Sequence, residues 1–198
     1  MWRFVLMALV ALVVASACDS QHERKVGAEG LIEGDYRLVS TLEPHTLDVV
    51  RITVVNNFEC RACASLESKM TDLQAKYKDR ISVDYYDVLN PETRTAVIAH
   101  YVLKQGPRAH ELRDYLYANL AAAGSKGPAM EVLVNRFGMN PAVMNDPSVI
   151  LEINRRDRLA RHITSATPTL VIQGQIAVGG DVGKISHILD QLLVEGQE

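Results

Sequence analysis

Cys60-Arg61-Ala62-Cys63 is the stretch of this 198-residue chain whose residue types and spacing point most directly to chemistry. Two cysteines separated by two residues at the start of a helix bring their sulfurs within bonding distance in one turn. Such a pair switches between dithiol and disulfide without large backbone movement, and its only redox cofactor is its own disulfide. The helix start also matters electrically. The first N–H groups of a helix have no internal partner and carry about half a positive charge, which favours a thiolate there. An ordinary thiol with a pKa near 8.5 is about 3 % ionised at pH 7. The helix end supplies about 0.3–1 kcal/mol, less than one pKa unit at about 1.36 kcal/mol per unit. A strongly ionised Cys60 therefore needs hydrogen bonds and nearby charge as well, and Arg61 is the local candidate.

Other uses of the pair fit less well. Tetrahedral zinc wants four ligands, yet the third cysteine, Cys18, lies in the N-terminal leader and the six histidines show no H-x(3–5)-H spacing. No metal is expected. A purely structural disulfide, or a binding module without redox turnover, is the remaining alternative, and placement between a strand and a helix argues for reactivity. Nearby groups have two readings each. Glu59 is either a proton-transfer group or a solvated loop carboxylate, as carboxylates are seldom fully buried. His162 reads as a solvated helix-end histidine, favourable at that dipole. Arg155, Arg156 and Arg158 read as a solvated helix face, and Met130, Met139 and Met144 as core fillers of a helical block.

The elements that must position the cysteines follow from periodicity. Residues 48–55 (D-V-V-R-I-T-V-V) are β-branched and almost uncharged, which predicts a buried strand ended by Asn56-Asn57. From Cys60 the pattern turns helical, with Ala64, Leu66, Met70, Leu73 and Tyr77 apolar and Glu67, Lys69 and Asp72 between them. A second strand spans 81–89, and a short extended segment around Tyr36, Leu38 and Thr41 ends near Pro44. Asn90-Pro91 predicts a helix toward Lys104, 108–123 a second, Gly127-Pro128 a third reaching Phe137, and Asp146-Pro147 a fourth toward His162. Strands at 169–172 and 175–178 flank a Gly174 turn, and a final amphipathic helix carries Val182, Ile185, Ile188, Leu189 and Leu192. Strands at both ends of the chain must close one mixed sheet, so the fold class is α/β with an inserted helical domain. The expected division is 31–90 with 163–198 for the sheet domain and 91–162 for the insertion.

Apolar residues make up 47 % of the chain, charged residues 23 %, and the formal net charge is -3, which excludes a nucleic-acid partner held by bulk charge. The N-terminus differs in kind. Arg3, the apolar run 4–14 and Ala15-Ser16-Ala17 read as a secretory signal over 1–17, shorter than the roughly 20 residues of a membrane-crossing helix. Cys18 follows the small residues at the position where bacterial lipoproteins are lipidated, and 18–30 is polar and aperiodic, a tether. The chain is therefore expected outside the cytoplasm, on the periplasmic or extracytoplasmic face, held to the membrane by a lipid on Cys18 or by its signal segment.

Taken together, Phe58-Glu59-Cys60-Arg61-Ala62-Cys63 after a strand and Ala166-Thr167-Pro168-Thr169-Leu170-Val171-Ile172 near the end resemble the DsbA family of bacterial thiol:disulfide oxidoreductases. Gly34-Asp35-Tyr36 and Gln173-Gly174-Gln175 resemble further family positions, and the likeness spans about residues 30–195. The resemblance implies a thioredoxin-like fold, a cis Pro168 facing the cysteine pair, and backbone hydrogen bonds from Thr167 to an extended substrate. It implies as partners exported protein thiols or disulfides and a membrane redox partner that reoxidises Cys60 and Cys63. Two departures stand out. The family's oxidases usually carry proline and histidine between the cysteines, where Arg61 and Ala62 stand here, and Thr167 before the proline resembles the DsbC and DsbG branches. The expected activity is thiol–disulfide exchange on exported proteins as an oxidase, with a disulfide reductase or isomerase, or a non-catalytic binding protein or chaperone, as the alternatives.

Overall fold

The computed structural model describes residues 35–39, 49–120 and 127–194. The signal and tether over 1–30 and the lipidation position Cys18 lie outside the described residues, as do Gly34, Thr41 and Pro44. A five-stranded mixed sheet organises the rest. In chain order its strands are β1 (Arg37–Leu38), β2 (Val50–Asn56), β3 (Ile81–Asp87), β4 (Thr169–Ile172) and β5 (Ile176–Gly179). Their spatial order is β1-β5-β4-β2-β3, with β2 and β3 parallel and every other pair antiparallel. A parallel pair requires a crossover, and helix α1 (Arg61–Tyr77) supplies it between β2 and β3.

Period-two alternation decides what each strand buries. Ile52 and Val54 on β2, Leu170 and Ile172 on β4, and Ile176 and Val178 on β5 face one side. There they meet Leu66, Met70, Leu73 and Tyr77 of α1 and Ile185, Ile188, Leu189 and Leu192 of the last helix, α6 (Val182–Val194). Val55, Val171 and Ala177 point the other way onto Ala160 and Ile163. Burying each large aliphatic side chain contributes about 1.5–3 kcal/mol, so both faces of β2 hold the strand that leads into Cys60.

Between β3 and β4 the chain builds α2 (Arg94–Leu103), α3 (Ala109–Leu120), α4 (Met130–Phe137) and α5 (Pro147–Ile163). These helices share a core of Val97, Ile98, Leu112, Leu116, Leu133 and Ile153, joined by Phe58 and Cys63 from the cysteine motif itself. Met130, Met139 and Met144 all pack into it, and His162 stands exposed in the last turn of α5. Asp146 caps α5 as its sequence predicts, its side chain accepting from the Ser148 N–H at 2.8 Å.

Three expectations need correction. α2 starts at Arg94 and not at Pro91, because the Thr93 hydroxyl closes a turn by accepting the Asn90 N–H at 2.9 Å. Arg156 is no solvated residue: it lies between the Tyr86 and Tyr101 rings, at 5.0 and 5.3 Å, and donates to Asp84 at 2.7 Å and Glu152 at 2.8 Å. Glu67, grouped with the polar face of α1, is 2 % exposed. Both charged residues are covered by elements distant in sequence, which bring Arg113 to Glu67 and Asp84 to Arg156.

Candidate active site

Asn57 follows β2 and turns the chain toward the cysteines: its carbonyl accepts the Cys60 N–H at 3.0 Å and its side-chain oxygen accepts the Glu59 N–H at 3.0 Å. Cys60 is then the residue that caps α1. Its sulfur accepts the Cys63 N–H at 3.2 Å, the position a serine or aspartate oxygen takes in ordinary caps. Cys63 follows inside the first turn and is 3 % exposed, so one sulfur faces the surface and its mate is closed in.

The second motif comes to the same place. The Thr167–Pro168 peptide is cis, and the Thr167 carbonyl accepts from the Cys60 thiol at 3.4 Å across 107 positions of sequence. The loop is braced from within: the Thr169 hydroxyl donates to the Ala166 carbonyl at 2.8 Å, and the Thr164 oxygen accepts the Ala166 N–H at 3.0 Å. Gly180, after β5, backs it from outside. A Cβ there would lie 2.6 Å from the Pro168 Cγ, so only glycine fits without displacing the proline. Beside the loop opens a groove of about 460 Å³, lined by Arg37, Thr164, Ala166, Gly180 and Lys184 among others.

These contacts separate the two thiols. Partial burial pushes the Cys60 thiol up, but hydrogen bonds from the Cys63 thiol, the Thr167 hydroxyl and the N–H groups of Cys63 and Ala62 outweigh it and bring it below its ordinary value. Burial pushes the Cys63 thiol up to about 12, with its hydrogen bond to Cys60 adding to the rise. Cys60 is thus the ionisable sulfur and Cys63 holds its proton.

The other sequence candidates divide. Glu59 is exposed and accepts from the Asn90 side chain at 2.9 Å, which ties the motif to the β3–α2 turn. Arg61 and Ala62 are exposed, and the help Cys60 receives from this pair is the Ala62 backbone N–H. No group of three or more His, Cys, Asp or Glu side chains that could hold a metal occurs among the described residues.

Two buried polar clusters beneath the motif were not singled out by sequence. In the first, Tyr117 donates to the Asn56 side chain at 2.6 Å, Asn56 donates to Asp87 at 2.8 Å, and Asp87 meets His100 Nδ1 at 2.6 Å. Phe58 packs edge-on against His100 and tilted against Tyr117. Burial, followed by the charges of Glu67 and Cys63, keeps the Tyr117 phenol protonated. In the second, Glu67 binds Arg113 and accepts from the Tyr85 hydroxyl at 3.1 Å. One signal was available: Glu67 lies four residues after Cys63, on the same buried stripe of α1.

No family model and no curated protein sequence matches the chain. Solved structures do. Reduced DsbA1 from Neisseria meningitidis superposes with a TM-score of 0.63 at 18 % identity, covering 84 % of this chain and 97 % of that one. The oxidoreductase DsbA from Xylella fastidiosa gives 0.59 at 18 %, covering 82 % and 95 %. DsbA from Pseudomonas aeruginosa gives 0.59 at 12 %, covering 86 % and 92 %. The chain thus has the thioredoxin-like fold of the DsbA proteins, with its helical domain inserted between β3 and β4.

Proposed function

We propose that the protein is a thiol–disulfide oxidoreductase working through Cys60 and Cys63 and that it acts as an oxidase on exported proteins. The observation that carries this reading is the placement of the Cys60 sulfur, between the Cys63 N–H and the Thr167 carbonyl. In the oxidised enzyme a substrate thiolate attacks the Cys60 sulfur, the Cys60–Cys63 bond breaks, and Cys63 leaves. With its thiol pushed up to about 12, Cys63 takes up a proton, which slows its attack back on the mixed disulfide. A second substrate thiolate then attacks the substrate sulfur of the mixed disulfide. Cys60 departs as the more stable thiolate, the substrate gains a disulfide, and the enzyme pair is left reduced by two electrons. Lowering the Cys60 thiol stabilises the reduced enzyme, which favours oxidation of others.

Thr167 and Pro168 would line the substrate chain, with the adjoining groove of about 460 Å³ receiving its flanking residues. Reoxidation by a membrane partner, the domain limits at residues 90/91 and 162/163, and a lipid on Cys18 belong to the same reading. Among the described residues no helix is long and apolar enough to cross a membrane. The reduction potential tests the direction. A value well above about -270 mV, the thioredoxin level, is expected; one at or below it overturns the oxidase reading. A reductase or isomerase is favoured by one feature, the exposed Arg61-Ala62 pair, whose side chains are not among the groups that lower Cys60.

A further inference from the structure

A second cleft, whose wall does not include the cysteines, is walled by donors. It lies between α1, the edge strand β3 and the turn joining α2 to α3, has a volume of about 270 Å³, and presents Gln74, Tyr85, Lys104, Gln105 and Arg113. No Asp or Glu among the described residues belongs to its wall. The two cations are held in place: the Arg113 side chain is 8 % exposed and that of Lys104 13 %. Their carboxylate partners, Glu67 and Asp84, are not among the wall residues. Arg113 donates through Nε to Glu67, which uses one of its five donors, and its guanidinium stacks over the Tyr85 ring at 5.0 Å. Lys104 binds Asp84, which Arg156 also reaches at 2.7 Å. α3 opens on the same wall at Ala109, whose N–H is taken by the Gly106 carbonyl at 3.1 Å, so what this helix start adds there is the positive end of its dipole.

A solvent-open cleft that offers two fixed cations and two amides, with no acid among its wall residues, is shaped for a ligand bearing oxygens and negative charge. We propose that this cleft binds a small oxyanion, of the phosphate or carboxylate class, between Arg113 and Lys104. The site is independent of the redox reading and stands or falls by itself.

Calorimetric titration of the purified full chain with inorganic phosphate and with succinate, against sodium chloride at matched ionic strength, tests it. Saturable uptake of phosphate, of succinate or of both is expected, and which of them binds identifies the ligand class. Ala109→Glu places a carboxylate in the wall and is expected to weaken binding at least tenfold. Lys104→Gln is expected to weaken it to a similar degree while leaving Asp84 paired with Arg156, so it decides the matter should Ala109→Glu fail to fold. Uptake no greater than in chloride, or equal in the parent and Lys104→Gln proteins, overturns the site.

Discussion

The hydroxyl of Thr167 is the side-chain contact from outside the cysteine motif that favours the charged form of Cys60 where burial opposes it, and it acts in the same direction on Cys63. Hydrogen bonds to charged groups contribute about 1.5–3 kcal/mol, so Thr167→Val is expected to raise the Cys60 pKa by about one to two units at about 1.36 kcal/mol per unit. The pH profile of iodoacetamide alkylation reads this directly; an unshifted midpoint would leave the Cys63 thiol and the backbone N–H groups as the cause. The same two thiols give stability opposite slopes with pH. Cys60 is lowered in the fold, so its contribution is full above the ordinary thiol value near 8.5 and lost as pH falls through its folded value. Cys63 is raised to about 12, so its contribution is full below about 8.5 and lost as pH rises toward about 12. The pair and its place at a helix start were legible in the sequence because both are local: a strand, a turn and two residues between cysteines. The meeting of Cys60 with the Thr167 loop was not, since that contact crosses 107 positions.

Elements carry the positioning. β2 enters the motif with both faces buried, α1 leaves it, and the 164–169 loop meets the half-buried Cys60 sulfur, held by its own threonines and by the turn after β5. Gly180 is the tightest point. A methyl there would meet the Pro168 ring at 2.6 Å, and a ring fixed to its backbone cannot rotate aside as a flexible side chain would. Gly180→Ala is therefore expected to cost about 1–3 kcal/mol by overpacking and to move the Thr167 carbonyl off Cys60. Thermal melts and the rate of mixed-disulfide formation with a cysteine peptide check this. The peptide rate should fall while exchange with a small free thiol is retained, and a variant with parental stability and rate would show that the loop absorbs the methyl. Element type was legible wherever periodicity was strong, as in α1, α5 and β4. Element starts were less so: Pro91 fits the first position of a helix, yet Thr93 competes with it by closing a turn through its hydroxyl, and no local rule ranks the two.

On the scale of the whole molecule, the helical insertion is fastened to the sheet domain by charges that a sequence cannot assign. Arg156 reads as one of a solvated arginine cluster until α5 lies against β3 and sets it between two tyrosines. Glu67 reads as a polar position of α1 until α3 delivers Arg113 across 46 residues. Neither partner is detectable by spacing, because each contact depends on which helix packs across the sheet edge. The Glu67–Arg113 contact is the more consequential, since their side chains are 3 % and 8 % exposed and Glu67 sits one turn beyond Cys63. Removing one member of a buried pair leaves the other charged and unpaired, at a cost of about 3–5 kcal/mol, whereas replacing both by apolar groups of similar volume is often nearly neutral. Arg113→Met is therefore expected to lower the melting temperature by on the order of 10 °C, at about 2–4 °C per kcal/mol for a chain of this size. Adding Glu67→Met should restore most of the loss, less the hydrogen bond from the Tyr85 hydroxyl. Equal losses in the single and double variants would mean that the pair stabilises through packing of the Arg113 stem against Tyr85 and not through charge.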